Sequence, residues 1–211
     1  MKSTVSTFVG KGVARPGEPV VILLHGYGAD ERDLPEIMKF LPDLPWVSPR
    51  APEPSQYGSF AWFGITTPLD PSLVEVSEAT AKIWDWIDSN LPQDSPLVVV
   101  GFSQGGLMAT QLLRTRPQRI MATVILAGFV YAGELEGDAF LKATKPKVIY
   151  CRGLDDSVIS REAVGRLNLW LQQHTKAITR TYEGLAHSID QRVLADVSDY
   201  LRQRLTKENQ R

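Results

Sequence analysis

Cysteine, histidine and long apolar runs are what this chain of 211 residues has least of: one cysteine, three histidines and no segment near the roughly 18 apolar residues of a membrane span. A lone Cys151 forms no intramolecular disulfide and no cysteine-based metal cluster, and its place at the end of an apolar run marks a buried structural thiol. The opening residues, Met1 to Gly10, lack the apolar stretch of a secretory signal. These absences predict a protein of the cytoplasm with no stable membrane insertion. An excess of either charge is also missing. Lys plus Arg number 23 against 24 for Asp plus Glu, a net charge of −1, and that balance excludes the basic surplus expected of a nucleic-acid partner.

What the chain does have is core. At 43% hydrophobic and 22% charged, residues 1–211 suit one domain able to bury a substantial interior. Val20 to Leu24 and Leu97 to Val100 are short apolar runs typical of strands buried on both faces, with further strands at Trp46–Ser48, Ala122–Ala127, Lys147–Cys151 and Ile178–Tyr182. Helical spacing predicts helices from Asp30 or Asp33 to about Phe40, and over Ser72–Leu91, Leu107–Leu113, Arg161–His174 and Ile189–Leu205. Alternating strands and helices give an α/β fold with a mainly parallel sheet, whose active sites form beyond the carboxyl ends of the strands. From about 49 to 71, five prolines break regular structure and Tyr57, Phe60, Trp62 and Phe63 gather, so this stretch reads as a lid or binding wall, or as a loop packed by its own aromatics.

Gly101-Phe-Ser103-Gln-Gly105 follows the Leu97 strand and precedes a helix. That order of strand, G-x-S-x-G and helix is a nucleophile elbow. The tight turn leaves room only for small neighbours, and the helix start aims N–H groups at Ser103, where acyl transfer would build negative charge.

A serine hydroxyl needs a base, most often histidine, oriented by a carboxylate. His174 lies in a polar helix end and reads as solvated, and His25 as a hydrogen-bonded residue shaping the turn after the first strand. His187, between the last strand and the last helix, is placed to serve as the base. The acid should follow another strand. Asp155 and Asp156 both do, and spacing does not choose between them; Asp138 and Asp190 follow no strand directly. For the oxyanion, the elbow supplies the Gln104 N–H, and His25-Gly-Tyr27-Gly28 is placed to supply the Tyr27 N–H.

Leu24-His-Gly-Tyr-Gly-Ala-Asp30, Gly101-Phe-Ser-Gln-Gly-Gly106, Gly153-Leu-Asp-Asp-Ser-Val-Ile159 and Tyr182-Glu-Gly-Leu-Ala-His-Ser188 together resemble the four signature blocks of the phospholipase/carboxylesterase family. This is the α/β-hydrolase branch of small bacterial carboxylesterases and acyl-protein thioesterases, and the resemblance runs from about Val20 to Leu205. It implies Ser103 as nucleophile, His187 as base and Asp156 as acid, with Tyr27 and Gln104 at the oxyanion positions. The implied activity is a serine carboxylesterase working through an acyl-enzyme. The alternatives are an acyl-protein thioesterase or lysophospholipase acting on long acyl chains, or a non-catalytic relative that only binds. No metal or organic cofactor is implied; the partner is a small or lipid-like ester, and the state a monomer or homodimer. The chain departs from the family's pattern in three places: Tyr27 stands where leucine is common, Gly64 replaces the acid of a Trp-aromatic-Asp block, and Ser160 replaces a proline. Tyr57, Trp62 and Phe63 are the expected substrate contacts.

Overall fold

The apolar, β-branched runs pair first with one another. In the computed structural model, which describes residues 4–56, 58–65 and 70–208, β1 (Phe8–Lys11), β2 (Val20–Leu24), β3 (Trp46–Pro49), β4 (Glu53–Pro54) and β5 (Phe60–Ala61) come before the first α-helix, α1 (Leu73–Asn90). Then follow β6 (Leu97–Phe102), α2 (Gln104–Thr115), β7 (Ile120–Leu126), α3 (Gly137–Thr144), β8 (Lys147–Gly153), α4 (Arg161–His174), β9 (Lys176–Tyr182) and α5 (Gln191–Glu208). Seven strands form one sheet in the order β1-β3-β2-β6-β7-β8-β9, every neighbouring pair parallel except the β1–β3 edge. This is the expected α/β architecture.

The side-chain period of two divides the sheet between two cores. Val20, Ile22 and Leu24 of β2 face one apolar cluster with Ile83 of α1 and Leu107, Met108 and Leu112 of α2, whereas Val21 and Leu23 face another with Val193, Val197 and Leu201 of α5. Both faces are therefore covered by helices, which is what continuous apolar strands require. β2 leads outward to β3 on one side, and β6 leads to β7 on the other. The order reverses between β2 and β6, so their carboxyl ends flank the crevice where ligands of open α/β sheets bind.

Several local expectations are corrected. The helix expected from Asp30 or Asp33 is a six-residue 3-10 turn, Pro35–Phe40. Asp30 spends its carboxylate on the Arg32 N–H at 2.8 Å, and Asp33 N–H donates to the Asp30 carbonyl, so helical bonding starts only at Pro35. The stretch 49–71 is not wholly irregular: β4 and β5 make a small antiparallel hairpin within it. Phe60 holds that hairpin against the β2 exit, donating its N–H to the Ala29 carbonyl and accepting from the Gly28 N–H, both at 3.0 Å. The edge strand β1 and the short helix α3 were not anticipated. Ser72 starts α1 with a capping box, its hydroxyl accepting from the Glu75 N–H while the Glu75 carboxylate accepts from the Ser72 N–H.

Candidate active site

Glycines bring the strand ends together. A Cβ on Gly105 would run into the Leu24 carbonyl, and one on Gly101 into the Gly105 carbonyl, so α2 starts in backbone contact with the β2 exit. Ser103 sits in this turn at φ 54° and ψ −115°, outside the regions ordinary L-residues favour, at a cost of roughly 1–3 kcal/mol. The N–H groups of Gly106 and Leu107 both return to the Ser103 carbonyl. The Gln104 N–H precedes them, among the first-turn donors that a helix leaves unused. Gly26 passes directly beside the serine: a Cβ there would lie 3.4 Å from Ser103 Cβ and 3.2 Å from Phe102 Cδ1. The loop carrying Tyr27 therefore borders Ser103.

The second pair of strand ends is stapled by backbone bonds. Leu154 N–H donates to the Tyr182 carbonyl at 2.9 Å and Asp155 N–H to the Leu185 carbonyl at 3.0 Å. Gly153 permits this approach, since a Cβ there would meet the carbonyls of Leu185 and Ala186. Of the two neighbouring aspartates, Asp155 points to solvent and Asp156 points inward. Asp156 Oδ1 accepts from the Val158 and Ile159 N–H groups at 2.9 and 3.1 Å, and Oδ2 lies 2.8 Å from His187 Nδ1. With Nδ1 so engaged, Nε2 is the ring nitrogen left to serve a neighbouring hydroxyl. The His187 ring rests against Phe102, the residue before Ser103, with centroids 4.8 Å apart. Asp138 and Asp190 are occupied elsewhere, Asp138 by Arg114 and Asp190 by the first turn of α5.

A family model described as Phospholipase/Carboxylesterase matches residues 10–205. The chain belongs to that family. It is 26% identical to a probable carboxylesterase SOBER1-like protein of Arabidopsis thaliana, over 88% of this chain and 78% of the relative. The carboxylesterase SOBER1 of the same plant is 24% identical, with 88% and 90% covered. The esterase PE8 structure superposes with a TM-score of 0.73 at 26% identity, covering 96% of this chain and 99% of that one. The Zea mays acyl-protein thioesterase 2 structure, at 19% identity and TM-score 0.73 over 94% and 99% of the two chains, shares the fold.

Within this phospholipase/carboxylesterase framework, the aromatic stretch takes the second of the two positions read for it. Trp62 and Phe63 are 1% and 4% exposed and belong to the core under α1 and α2, as the reading of a loop packed by its own aromatics has it. Trp62 Nε1 donates to the His25 carbonyl at 2.9 Å. The Gln104 side chain brackets the same segment, its Oε1 accepting from the Trp62 N–H at 2.9 Å and its Nε2 donating to the Phe63 carbonyl at 2.8 Å. Tyr57 lies outside the described residues. His25 is fully buried; its Nδ1–H donates to the Gly26 carbonyl at 2.8 Å and its Nε2 accepts from the Ala51 N–H at 3.0 Å. Burial pushes its pKa down and holds the ring neutral in that tautomer. His174, expected to be solvated, stacks on Trp170 and bonds its carbonyl. Sequence reasoning missed the Phe102–His187 contact and the Gln104 clamp, because the x positions of G-x-S-x-G carry no spacing signal of their own.

Among the described residues no group of His, Cys, Asp and Glu is arranged to hold a metal ion, and no helix is long and apolar enough to cross a membrane. A cavity of about 860 Å³ between α2, α3 and α4 lies far from Ser103: Arg114, on its floor, is eleven residues along α2, roughly 16 Å. Arg114 is 1% exposed and bonds both carboxylate oxygens of Asp138, at 2.8 and 2.5 Å, together with the carbonyls of Tyr131 and Gly133. Burial alone would raise the Asp138 pKa, but the bonds from Arg114 and the Leu135 N–H outweigh it and hold the carboxyl below its ordinary value. The stabilisation is therefore complete above the usual carboxylate range and is lost as pH falls through the depressed value. Arg114→Met, which strands a buried carboxylate, should cost about 3–5 kcal/mol and lower the thermal midpoint at neutral pH by roughly 6–20 °C. Calorimetry checks this, and a deficit that shrinks as the pH falls and Asp138 protonates would assign it to the pair.

Proposed function

We propose that this chain is a serine carboxylesterase that hydrolyses carboxylic esters through an acyl-enzyme. Ser103 Oγ attacks the acyl carbonyl as His187 Nε2 takes its proton, and Asp156 holds the imidazole with Nδ1 protonated and stabilises the imidazolium. The N–H groups of Tyr27 and Gln104 receive the oxyanion. His187 then protonates the departing alcohol, and water, activated by the same ring, releases the acid. The observation that carries this reading is the 2.8 Å Asp156–His187 bond, with the His187 ring packed on Phe102, the residue before a serine held at positive φ at the end of β6. In this mechanism Trp62 and Phe63 shape the substrate side from behind, through the backbone they fix, and Tyr57 is kept as a direct substrate contact.

Action on long acyl chains, as a thioesterase or lysophospholipase, is the second reading. It is favoured by exposed apolar side chains on the same loops: Leu154 and Val158 flank Asp156, and Ile65 follows Phe63 by two residues. One experiment tests both. A fluorophosphonate should label Ser103, and kcat/KM should be measured for p-nitrophenyl esters and acyl thioesters of increasing chain length. Carboxylesterase action predicts labelling with turnover of short esters, and a sharp decline beyond short chains removes the long-chain reading. Folded protein that neither labels nor turns over any ester would refute catalysis and favour a binding role.

A further inference from the structure

Only the backbone N–H of Gln104 has a part in the proposed reaction, yet its side chain is entirely buried and both of its polar ends are used. An N–H can meet only an acceptor and a C=O only a donor, so the bonds to the Trp62 N–H and the Phe63 carbonyl fix the carboxamide in one orientation. From Trp62 the connection continues. The indole N–H donates to the His25 carbonyl, the two rings pack at 5.3 Å, and His25 in turn holds Gly26 and Ala51. The first residue of the elbow helix is thus joined, through one side chain and one indole, to the loop that carries Tyr27. The only titratable ring in this chain of bonds is His25, which burial keeps neutral.

We propose that the Gln104 carboxamide is a positioning residue that sets the spacing between the two oxyanion donors, the N–H of residue 104 and the N–H of Tyr27. The proposal rests on the ester-hydrolysis reading above. Preorganised donors act only where the developing charge will be, and a displacement of the order of 1 Å costs about 100-fold in rate. The clamp requires no contact with substrate. It works by preventing the segment 62–63, and with it the β2 exit, from drifting away from α2.

Two substitutions keep the backbone donor and alter only the clamp. Gln104→Met retains the length and apolar bulk of the side chain but removes both bonds. It should lower kcat on a p-nitrophenyl ester by about 10- to 100-fold per titrated serine, with KM changed far less. Gln104→Glu keeps an acceptor for the Trp62 N–H but sets a carboxylate oxygen against the Phe63 carbonyl. A buried carboxyl in that position titrates above its ordinary value, and once protonated its O–H replaces the lost donor. The ratio of kcat for Gln104→Glu to that of the unchanged protein should therefore rise as pH is lowered from about 8 to about 5, a response that general loss of structure would not give. Counting active sites with a fluorophosphonate removes any contribution from unfolded protein, and if Gln104→Met fails to fold, the glutamate variant carries the test. Labelled variants with unchanged kcat, or a ratio flat with pH, would overturn the clamp alone. Absence of labelling at Ser103 in the unchanged protein would overturn the ester-hydrolysis reading and the clamp with it.

Discussion

Ser103→Ala should lower kcat by roughly 10⁴- to 10⁶-fold on an activated ester while the fold stays intact. The fold is insensitive because the positive φ at this position is imposed by its surroundings, not by the hydroxyl. Gly101, Gly105 and Gly106 let α2 start against β2 and β7, and Ser103 N–H donates to the Leu126 carbonyl at 2.8 Å. An alanine in that backbone has the same Cβ and the same strain. What it lacks is the atom that bonds to the acyl carbon. The residual rate comes from the oxyanion donors and from substrate binding, which survive the substitution. Circular dichroism and kcat measured on the same preparation check the expectation, and near-normal turnover by folded Ser103→Ala would sink the assignment.

Asp156→Asn should reduce kcat by about 10⁴-fold for a different reason, one that the hydrogen bonds at this residue make explicit. Asp156 Oδ1 is committed to the Val158 and Ile159 N–H groups, so in the variant the amide oxygen takes that place and the NH₂ group turns toward His187 Nδ1. An amide N–H facing Nδ1 requires that nitrogen to be an acceptor, which moves the ring proton to Nε2. The ring then offers a donor where the serine needs an acceptor. Stability should change little, because the two loop bonds are kept. The check is kcat alongside the thermal midpoint. A variant within tenfold of the unchanged protein would mean that Asp156 is only a loop cap.

The parts of the fold that could be read from the chain were those where local chemistry and global packing ask for the same residue. Val20–Leu24 and Leu97–Val100 are apolar at every position because both faces of the sheet are covered, and no other element of this length needs that composition. The glycines of the strand-end loops were legible because a Cβ would collide with backbone there. β1 carried no such mark: only Val9 is partly shielded, so it lacks the alternation that marks a half-buried strand. α3 is eight residues long with Leu141 and Asp138 as its buried positions, too short for a period to show. Asp155 and Asp156 were indistinguishable because one step along a loop changes direction, not spacing. What separates them is which carboxylate the Val158 and Ile159 N–H groups capture. The aromatics at 60–63 were visible as a cluster, but composition does not tell a wall from a core. Trp62 and Phe63 are buried in the core with side chains of α1 and α2, and their backbone is bonded by a buried amide at Gln104, some forty residues away in the chain.

Cys151 has a use that follows from where the sheet holds it. It lies within β8, 1% exposed, and burial pushes its thiol up to about 11. Shielded and protonated, it presents neither the access nor the thiolate that alkylating reagents require. Since it is the chain's single thiol, each alkylation counts one opening of the strands around it. The molecule thus carries a built-in clock for its own unfolding, independent of Ser103 and read by mass alone.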